Sequence, residues 1–140
     1  MTINDVQNRI IEDFEMFDEW MDKYEYIIGL GKTLKILEDD KKTPSNIIEG
    51  CQSRVWLDAD FIDGKLVFSA DADAVITKGM ISLLLQILSN RTPDEILSAE
   101  LFFTEKTGLN QNLSPTRANG LVSMIKKIKT YALAYKSKMG

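Results

Sequence analysis

The pair Asp63-Gly64 is the sequence feature that most constrains the fold of this chain. It lies between two runs, residues 54–62 and 65–71, that are rich in valine, tryptophan, leucine and phenylalanine. Two such runs joined by Asp-Gly predict a β-hairpin, because a type I′ turn needs positive φ at both central residues. The middle of the chain is therefore expected to form a small antiparallel sheet.

The segment before the hairpin has helical periodicity. Apolar residues recur at steps of three and four over residues 4–21, which predicts an amphipathic helix. Asp18 is expected to cap a second helix, which should end near Gly29 or Gly31. Residues 38–46 are polar and are expected to form a loop that leads to the hairpin.

The segment after the hairpin is also helical in pattern. Asp71 or Asp73 is expected to cap a helix over residues 75–88, which is apolar nearly all round and should therefore be central. Threonine, proline and glutamate in residues 92–95 predict a capped short helix. Ser-Pro at 114–115 predicts the start of a last helix, which carries lysines outside its apolar face.

The order of helices, sheet and helices predicts an α+β fold, with a small antiparallel sheet packed against several helices. With 140 residues, the chain fits a single domain, residues 1–140. A net charge of −4 argues against a general nucleic-acid binder. The longest apolar stretch, residues 80–88, is too short to span a membrane, and no signal peptide is recognisable. We therefore expect a cytoplasmic protein.

Histidine is absent from the chain, and Cys51 is its single cysteine. These two counts exclude Ser-His-Asp and Cys-His catalytic systems, histidine zinc sites, an intrachain disulfide and a cluster ligated by cysteines of one subunit. Any cysteine chemistry must use a lone thiol whose reaction partner is another molecule. We expect no bound metal and no cofactor.

Cys51 is the first candidate for chemistry, although a lone cysteine is more often a small buried hydrophobic residue. Its neighbours Gly50, Gln52 and Ser53 are polar or flexible, whereas a core cysteine normally lies in an apolar pattern. Arg54 is the one cation nearby, so the local sequence offers little to activate a thiol whose pKa is ordinarily ~8.5. A sulfur acceptor can work with a weakly activated thiol, because the rate of persulfide exchange also depends on a good leaving sulfur on the partner.

Three other charged residues are weaker candidates. Asp71 and Asp73 could form an acid/base pair or a metal site, but two carboxylates without further oxygen ligands bind hard cations poorly, so helix capping is expected instead. Arg117 lies in the first turn of the last predicted helix, where the helix dipole disfavours a cation. Its position indicates either a specific tertiary or functional contact or a plain surface arginine, and both interpretations stay open.

Three blocks of the chain carry a family pattern. They are Gly-Cys-Gln-Ser-Arg-Val-Trp at 50–56, Asp-Ala-Asp-Ala at 71–74 with Lys-Gly at 78–79, and Leu-Ser-Pro-Thr-Arg-Ala-Asn-Gly-Leu at 113–121 with Met-Ile at 124–125. In order and spacing they resemble the SufE family of cysteine desulfuration proteins, over nearly the whole chain. Met80 and Arg54 stand where leucine and glutamine are common, and neither is expected to affect the sulfur chemistry.

The resemblance implies an α+β fold shared with iron–sulfur scaffold proteins of the IscU type. It also implies that Cys51 accepts persulfide sulfur from a PLP-dependent cysteine desulfurase, stimulates that enzyme and passes the sulfur to an iron–sulfur cluster assembly scaffold complex. Asp73 and Arg117 would position the cysteine loop. Such a chain is an accessory carrier without turnover of its own, and neither nucleic acid nor membrane is among its partners.

Two other functions compete with the carrier. A cluster scaffold of the same fold fails on ligand count, since one cysteine and no histidine cannot hold a cluster within one subunit. A non-catalytic adaptor of the desulfurase with a structural cysteine remains the alternative. For the carrier we further expect Cys51 to be largely sheltered in the free protein, because a persulfide is exposed to oxidants and stray thiols.

Overall fold

The computed structural model describes residues 1–34, 36–51 and 53–139, so Gln52 of the predicted loop lies outside the described residues. The chain begins with helices α1 (Ile3–Glu15) and α2 (Trp20–Leu30), followed by 3-10 turns at Gly31–Thr33, Asp39–Lys41 and Pro44–Asn46. A hairpin of β1 (Val55–Ile62) and β2 (Lys65–Ala72) follows. Five helices complete the described part of the chain: α3 (Val75–Leu88), α4 (Pro93–Ser98), α5 (Phe103–Lys106), α6 (Leu109–Asn112) and α7 (Pro115–Met139). The predicted α+β class is confirmed.

The hairpin forms where the Asp-Gly pair predicts it. Asp63 and Gly64 have φ of 51° and 80°, the positive values of a type I′ turn. The two strands pair antiparallel from Val55 opposite Ala72 to Ile62 opposite Lys65. Alternate side chains of both strands are buried on one face, which packs on the helices.

Helix α3 is the centre of the core, as its apolar sequence predicts. Nearly all of its side chains are buried, and it contacts α1, α2, α7 and the sheet. Helix α2 crosses α3 so closely at Gly79 that an added Cβ would collide with the carbonyl oxygen of Ile27. A side chain at this position would therefore force the two helices apart.

The boundary between α1 and α2 differs from the prediction of one helix over residues 4–21. The periodic segment 4–21 is interrupted, because α1 ends at Glu15 and α2 begins at Trp20. The residue that precedes α2 is Glu19, and the prediction that Asp18 caps this helix is wrong. The chain turns here because Phe17 packs against Tyr26 of α2, with ring centres 5.3 Å apart. The predicted end near Gly31 is confirmed.

The predicted caps of α4 and α7 are present, and that of α3 is not. Thr92 and Glu95 form a capping box at α4, and Ser114 Oγ accepts from the Arg117 N–H at 3.3 Å. The residue before α3 is Ala74, so the prediction that Asp71 or Asp73 caps this helix is wrong. Strand β2 extends through Ala72, so Asp71 lies within the strand, and the Asp73 N–H donates to the Arg54 carbonyl just after it.

Asp71 forms an ion-pair network instead of a cap. Its carboxylate oxygens lie 2.8 Å from the Lys42 Nζ and 3.2 Å from the Lys78 Nζ. Partial burial alone would raise the pKa of Asp71, but Lys42, the Ala72 N–H and Lys78 outweigh it and hold this pKa below its usual value. The network joins three parts of the chain: the segment before the hairpin, β2 and α3.

The buried Gln7 and the half-buried Tyr131 fix two segments whose structure the sequence pattern did not predict. Gln7 Oε1 accepts from the Phe102 and Phe103 N–H groups at 2.8 and 3.2 Å, which holds the unpredicted start of α5 against α1. The Tyr131 hydroxyl of α7 lies 2.7 Å from Asn46 Oδ1 and 2.8 Å from the Leu57 carbonyl. Burial and the nearby Asp58 carboxylate raise the pKa of Tyr131 to about 12. Residues 38–46, predicted as a loop, contain two 3-10 turns.

Replacing Gly79 with alanine is expected to lower the free energy of unfolding by about 3 kcal/mol, because the new Cβ cannot fit against the Ile27 carbonyl. The matched control is Gly29→Ala, since a Cβ at Gly29 of α2 meets nothing within 4 Å. That control should stabilise the protein by about 0.5 to 1 kcal/mol through helix propensity. Urea unfolding of both variants measures the difference, and equal stabilities would contradict the close helix crossing.

Asp71→Asn is expected to destabilise the protein by about 1 kcal/mol at pH 7, since it removes two ion pairs at a side chain that is 15% exposed. The wild-type carboxyl has a lowered pKa, so its contribution is present above about pH 4 and is lost as the pH falls through the folded-state value. The difference in unfolding free energy between the wild type and Asp71→Asn should therefore become smaller at acidic pH. Asp60→Asn, which loses one exposed 3.9 Å pair to Lys41, is the control.

Candidate functional site

Cys51 lies in a short loop that is closed by main-chain hydrogen bonds at its base. The Ile48 N–H donates to the Val55 carbonyl at 2.7 Å, which brings together the two ends of the loop. On the other side, the Asp73 N–H donates to the Arg54 carbonyl at 3.0 Å. Because both flanks of β1 are tied in this way, the start of the sheet positions the cysteine.

The tip of this loop rests on α7. Gly50 has a φ of 90°, in the region that favours glycine, and an added Cβ would collide with Ser123 Oγ. The Cys51 Sγ lies 3.6 Å from the Gly120 carbonyl oxygen, within range of a weak S–H hydrogen bond. Gly50 is therefore required both by its backbone conformation and by the close approach of the loop to α7.

The other side of the loop is tied to α3. Ser53 Oγ donates to Thr77 Oγ1 at 3.1 Å, and Thr77 is buried. The predicted loop residues Gly50 and Ser53 thus contact α7 and α3 respectively, and Cys51 lies between these two helices.

Cys51 opens onto a cavity of about 220 Å³ between α3 and α7. The cavity wall is largely apolar, with Ile76 and Met80 from α3 and Met124 from α7. Met80, a residue not expected to affect the sulfur chemistry, therefore lies in the wall beside the thiol. Among the described residues that line the cavity, Arg117 is the one with a charged side chain.

The thiol is half-buried, and this burial raises the pKa of Cys51. Desolvation disfavours the thiolate, so the resting side chain is a protonated thiol at neutral pH. The expected sheltering is thus partial, because one part of the side chain contacts the core and another part faces the cavity.

The two predicted positioning residues reach the site in different ways. Arg117 lines the cavity, and its guanidinium lies 5.5 Å from the centre of the Tyr24 ring of α2, a cation–π contact. Asp73 is exposed, and its link to the loop is the main-chain bond to Arg54. The structure therefore brings Arg117 to the wall of the cavity and Asp73 to the base of the loop.

The cavity wall contains residues that sequence reasoning missed. Thr77, Gly120 and Met124 each contact the loop or the cavity, yet their residue types are ordinary for helices. Met124 and Gly120 did fall within the blocks that carry the family pattern, which was the one signal available for them.

In the described part of the chain, no three histidine, cysteine or acidic side chains are grouped so that they could hold a metal ion. Among residues 1–34, 36–51 and 53–139, no helix combines the length and the hydrophobicity that a membrane span requires.

Comparison with solved structures identifies the fold. The solution structure of a hypothetical protein from Thermus thermophilus matches with a TM-score of 0.77, covering 94% of this chain and 96% of that chain. The sequence identity is 16%, so this similarity concerns the fold alone.

Comparison of sequences identifies the family. The family model described as "SufE: Fe-S metabolism associated domain" matches residues 8–132. An uncharacterized SufE-like protein of Synechocystis sp. is 37% identical over 127 residues, which is 91% of this chain and 80% of that protein. Uncharacterized SufE-like proteins of Rhizobium etli and Rhizobium meliloti are 40% and 41% identical over 130 residues, covering 89% of this chain and 88% and 93% of theirs. The chain belongs to the SufE family, whose domain is associated with Fe–S metabolism.

Proposed function

We propose that this protein is a sulfur carrier that accepts a persulfide sulfur on Cys51 from a PLP-dependent cysteine desulfurase. It stimulates that enzyme and passes the sulfur to an iron–sulfur cluster assembly scaffold complex. The observation that supports this most is the position of the sole cysteine, in a short loop that lines a largely apolar cavity. The family's association with Fe–S metabolism supports the same assignment.

The transfer needs no oxidant and no cofactor in this chain. The Cys51 thiolate attacks the terminal sulfur of the desulfurase cysteine persulfide, a new S–S bond forms, and the old S–S bond breaks. The desulfurase cysteine leaves as a thiolate and takes up the proton that Cys51 has lost. A second exchange of the same kind moves the sulfur to an acceptor thiol. The protein returns to its starting state, so it carries sulfur rather than catalysing a reaction of its own.

Because burial raises the pKa of Cys51, the proposed transfer requires the loop to open. In the closed position, desolvation keeps the thiol protonated and a poor nucleophile. Movement of the loop into a partner's site removes Cys51 from the apolar wall and brings its pKa towards the ordinary ~8.5. If the closed state is favoured by about 2 kcal/mol, a few per cent of the molecules are open before the partner binds.

The tip contacts of the described loop residues are weak enough to allow this movement. They include the S–H contact to the Gly120 carbonyl and the hydroxyl bond from Ser53 to Thr77. Arg117 supports the closed state from the cavity wall, and Asp73 supports it from the base through its main-chain N–H. Partner binding supplies the opening free energy through contacts made with the open loop alone.

An adaptor that uses Cys51 structurally is the second candidate, and one observation favours it. Cys51 packs against the hydrophobic core, as a small apolar residue would. In that case the protein would stimulate the desulfurase without receiving sulfur. Loss of the thiol would then cost stability and leave the stimulation in place.

Incubation with a cysteine desulfurase and free cysteine is expected to add about one sulfur mass to the intact chain, because Cys51 is the only possible acceptor. Intact-protein mass spectrometry measures the adduct, and reduction should remove it. Cys51→Ser should abolish the adduct while leaving the urea midpoint nearly unchanged. A wild-type sample with free thiol and unchanged mass after desulfurase turnover would exclude the carrier function.

Arg117→Ala is expected to speed the alkylation of Cys51 by iodoacetamide several-fold, because it removes a wall of the cavity and weakens the closed state. Asp73→Ala should accelerate it less, since the main-chain bond to Arg54 survives the substitution. In the wild type, the rate should rise with pH through an inflection above ~8.5, as the raised pKa requires.

Thiol alkylation followed by mass spectrometry measures all three rates. Ser114→Ala, which removes a helix cap near the same site, controls for general loosening of α7. Equal alkylation rates in the wild type, Arg117→Ala and Asp73→Ala, with Cys51 already reacting like a free thiol, would refute the proposed closed state of the loop. The carrier function would remain possible.

A further inference from the structure

Helix α7 has a second face that the cysteine site does not use. Val122, Lys126, Lys129 and Leu133 follow one another at steps of four, three and four residues, so they lie on one side of the helix. We call these four residues the outer face. At a rise of 1.5 Å per residue, it extends over about 16 Å, or three helical turns.

The outer face exposes large apolar side chains beside a groove. Val122 is 64% exposed and Leu133 is 57% exposed, among the more exposed large hydrophobic residues of the described chain. With Leu97 of α4 and Ile125, the outer face lines an open groove of about 450 Å³. Two apolar residues separated by three turns, with a groove between them, have the spacing of the anchor positions that a helix presents.

The charge of α7 differs from that of the rest of the chain. The helix contains six cations and no acidic residue, whereas the whole chain has a net charge of −4. Within the described residues, Lys136 is the one lysine of α7 with a carboxylate within 4.0 Å, that of Asp94 at 2.7 Å. The Lys129 Nζ contacts the Ala99 carbonyl at 3.1 Å, and no described carboxylate neutralises it or Lys126. The middle of the outer face is therefore an uncompensated positive patch.

This charge pattern selects among the possible occupants. Symmetric pairing of two outer faces would place lysines opposite lysines, which disfavours a second copy of this chain. Two lysines on an acidic protein make too few phosphate contacts for nucleic acid, and the net negative charge opposes approach to an anionic membrane. An amphipathic helix with acidic residues between apolar anchors satisfies both the charge and the spacing.

We propose that the outer face of α7 is a docking site for an acidic amphipathic helix of a partner protein. Apolar anchors of that helix pack on Val122 and Leu133, and its carboxylates pair with Lys126 and Lys129. The outer face shares no lining residue with the cysteine cavity, whose α7 side is formed by Thr116, Arg117, Gly120 and Met124. A partner docked here leaves Cys51 uncovered, so it tethers the protein while the thiol reacts elsewhere.

The test uses the full chain and a synthetic helical peptide. The peptide carries leucine, glutamate, glutamate and leucine at the spacing of the four outer-face residues, and a second peptide replaces the glutamates with lysines. Fluorescence anisotropy measures affinity, and amide chemical shifts locate the contact. We expect the acidic peptide to bind, with shifts concentrated between residues 122 and 133 and affinity falling as salt rises. The lysine peptide should not bind.

Three variants make the test specific. Lys126→Glu with Lys129→Glu should weaken binding about tenfold or more. Lys126→Glu alone should weaken it in the same direction if the double variant is unstable. The control, Lys32→Glu with Lys106→Glu, makes the same change in net charge at two exposed lysines outside α7 and should bind like the wild type.

Several results would overturn the docking site. These are the absence of binding up to about 1 mM, equal weakening in the control variant, and shifts that map outside α7. Self-association of the wild type that the outer-face variant abolishes would assign the face to a second copy. Binding to vesicles of anionic lipid, lost in the same variant, would assign it to a membrane. Persulfide formation on Cys51 is measured separately, so failure of the docking site and failure of the carrier function are distinguishable.

Discussion

The burial of α3 on nearly every side is the constraint on which the other elements depend. Neighbouring elements can approach an apolar helix closely only where its side chains are small, and they can hydrogen-bond to it only where its side chains are polar. The Ile27 carbonyl of α2 packs against Gly79 of α3. Ser82 Oγ of α3 donates to the Leu30 carbonyl at the end of α2. Thr77 accepts the hydroxyl of Ser53 from the cysteine loop. The same helix thus organises the core and anchors the cysteine loop.

The cysteine loop combines two requirements that oppose each other. Contact with an apolar cavity shelters the sulfur, but it also raises the pKa of Cys51 and lowers its nucleophilicity. A carrier resolves this conflict when its partner opens the loop, because the thiol then becomes reactive only where sulfur is exchanged. The contacts at the loop tip are accordingly weak, whereas the loop base is held by main-chain hydrogen bonds to the sheet.

Helix α7 connects the proposed chemistry with the proposed docking. One side of it carries Gly120 and Ser123, which approach the cysteine loop, and Tyr131, which fixes the segment before that loop. The opposite side carries the exposed apolar residues Val122 and Leu133, and between them lie two lysines that no described carboxylate neutralises. Because the two sides belong to one helix, docking on the outer face would fix the orientation of the cysteine site relative to the partner and would leave the loop free to open.

The sequence by itself determined the features that depend on local chemistry. Positive φ at Asp63-Gly64 specified the hairpin, and Thr92 and Ser114 specified helix starts. The absence of histidine and the single Cys51 restricted the chemistry to a lone thiol. The family blocks then identified the SufE family, which the family model over residues 8–132 confirms.

Only the tertiary structure decided the features that depend on partners distant in the chain. Asp71 pairs with Lys42 and Lys78 rather than capping a helix, and Met80 lines the cysteine cavity. Gln7 holds α5, whose short sequence carries little periodicity of its own. The type of a charged or apolar residue does not specify its contact partner, because that partner comes from a distant part of the chain. Local pattern therefore predicted the hairpin and the longer helices and singled out Cys51 as the candidate residue, while packing decided the cavity around it.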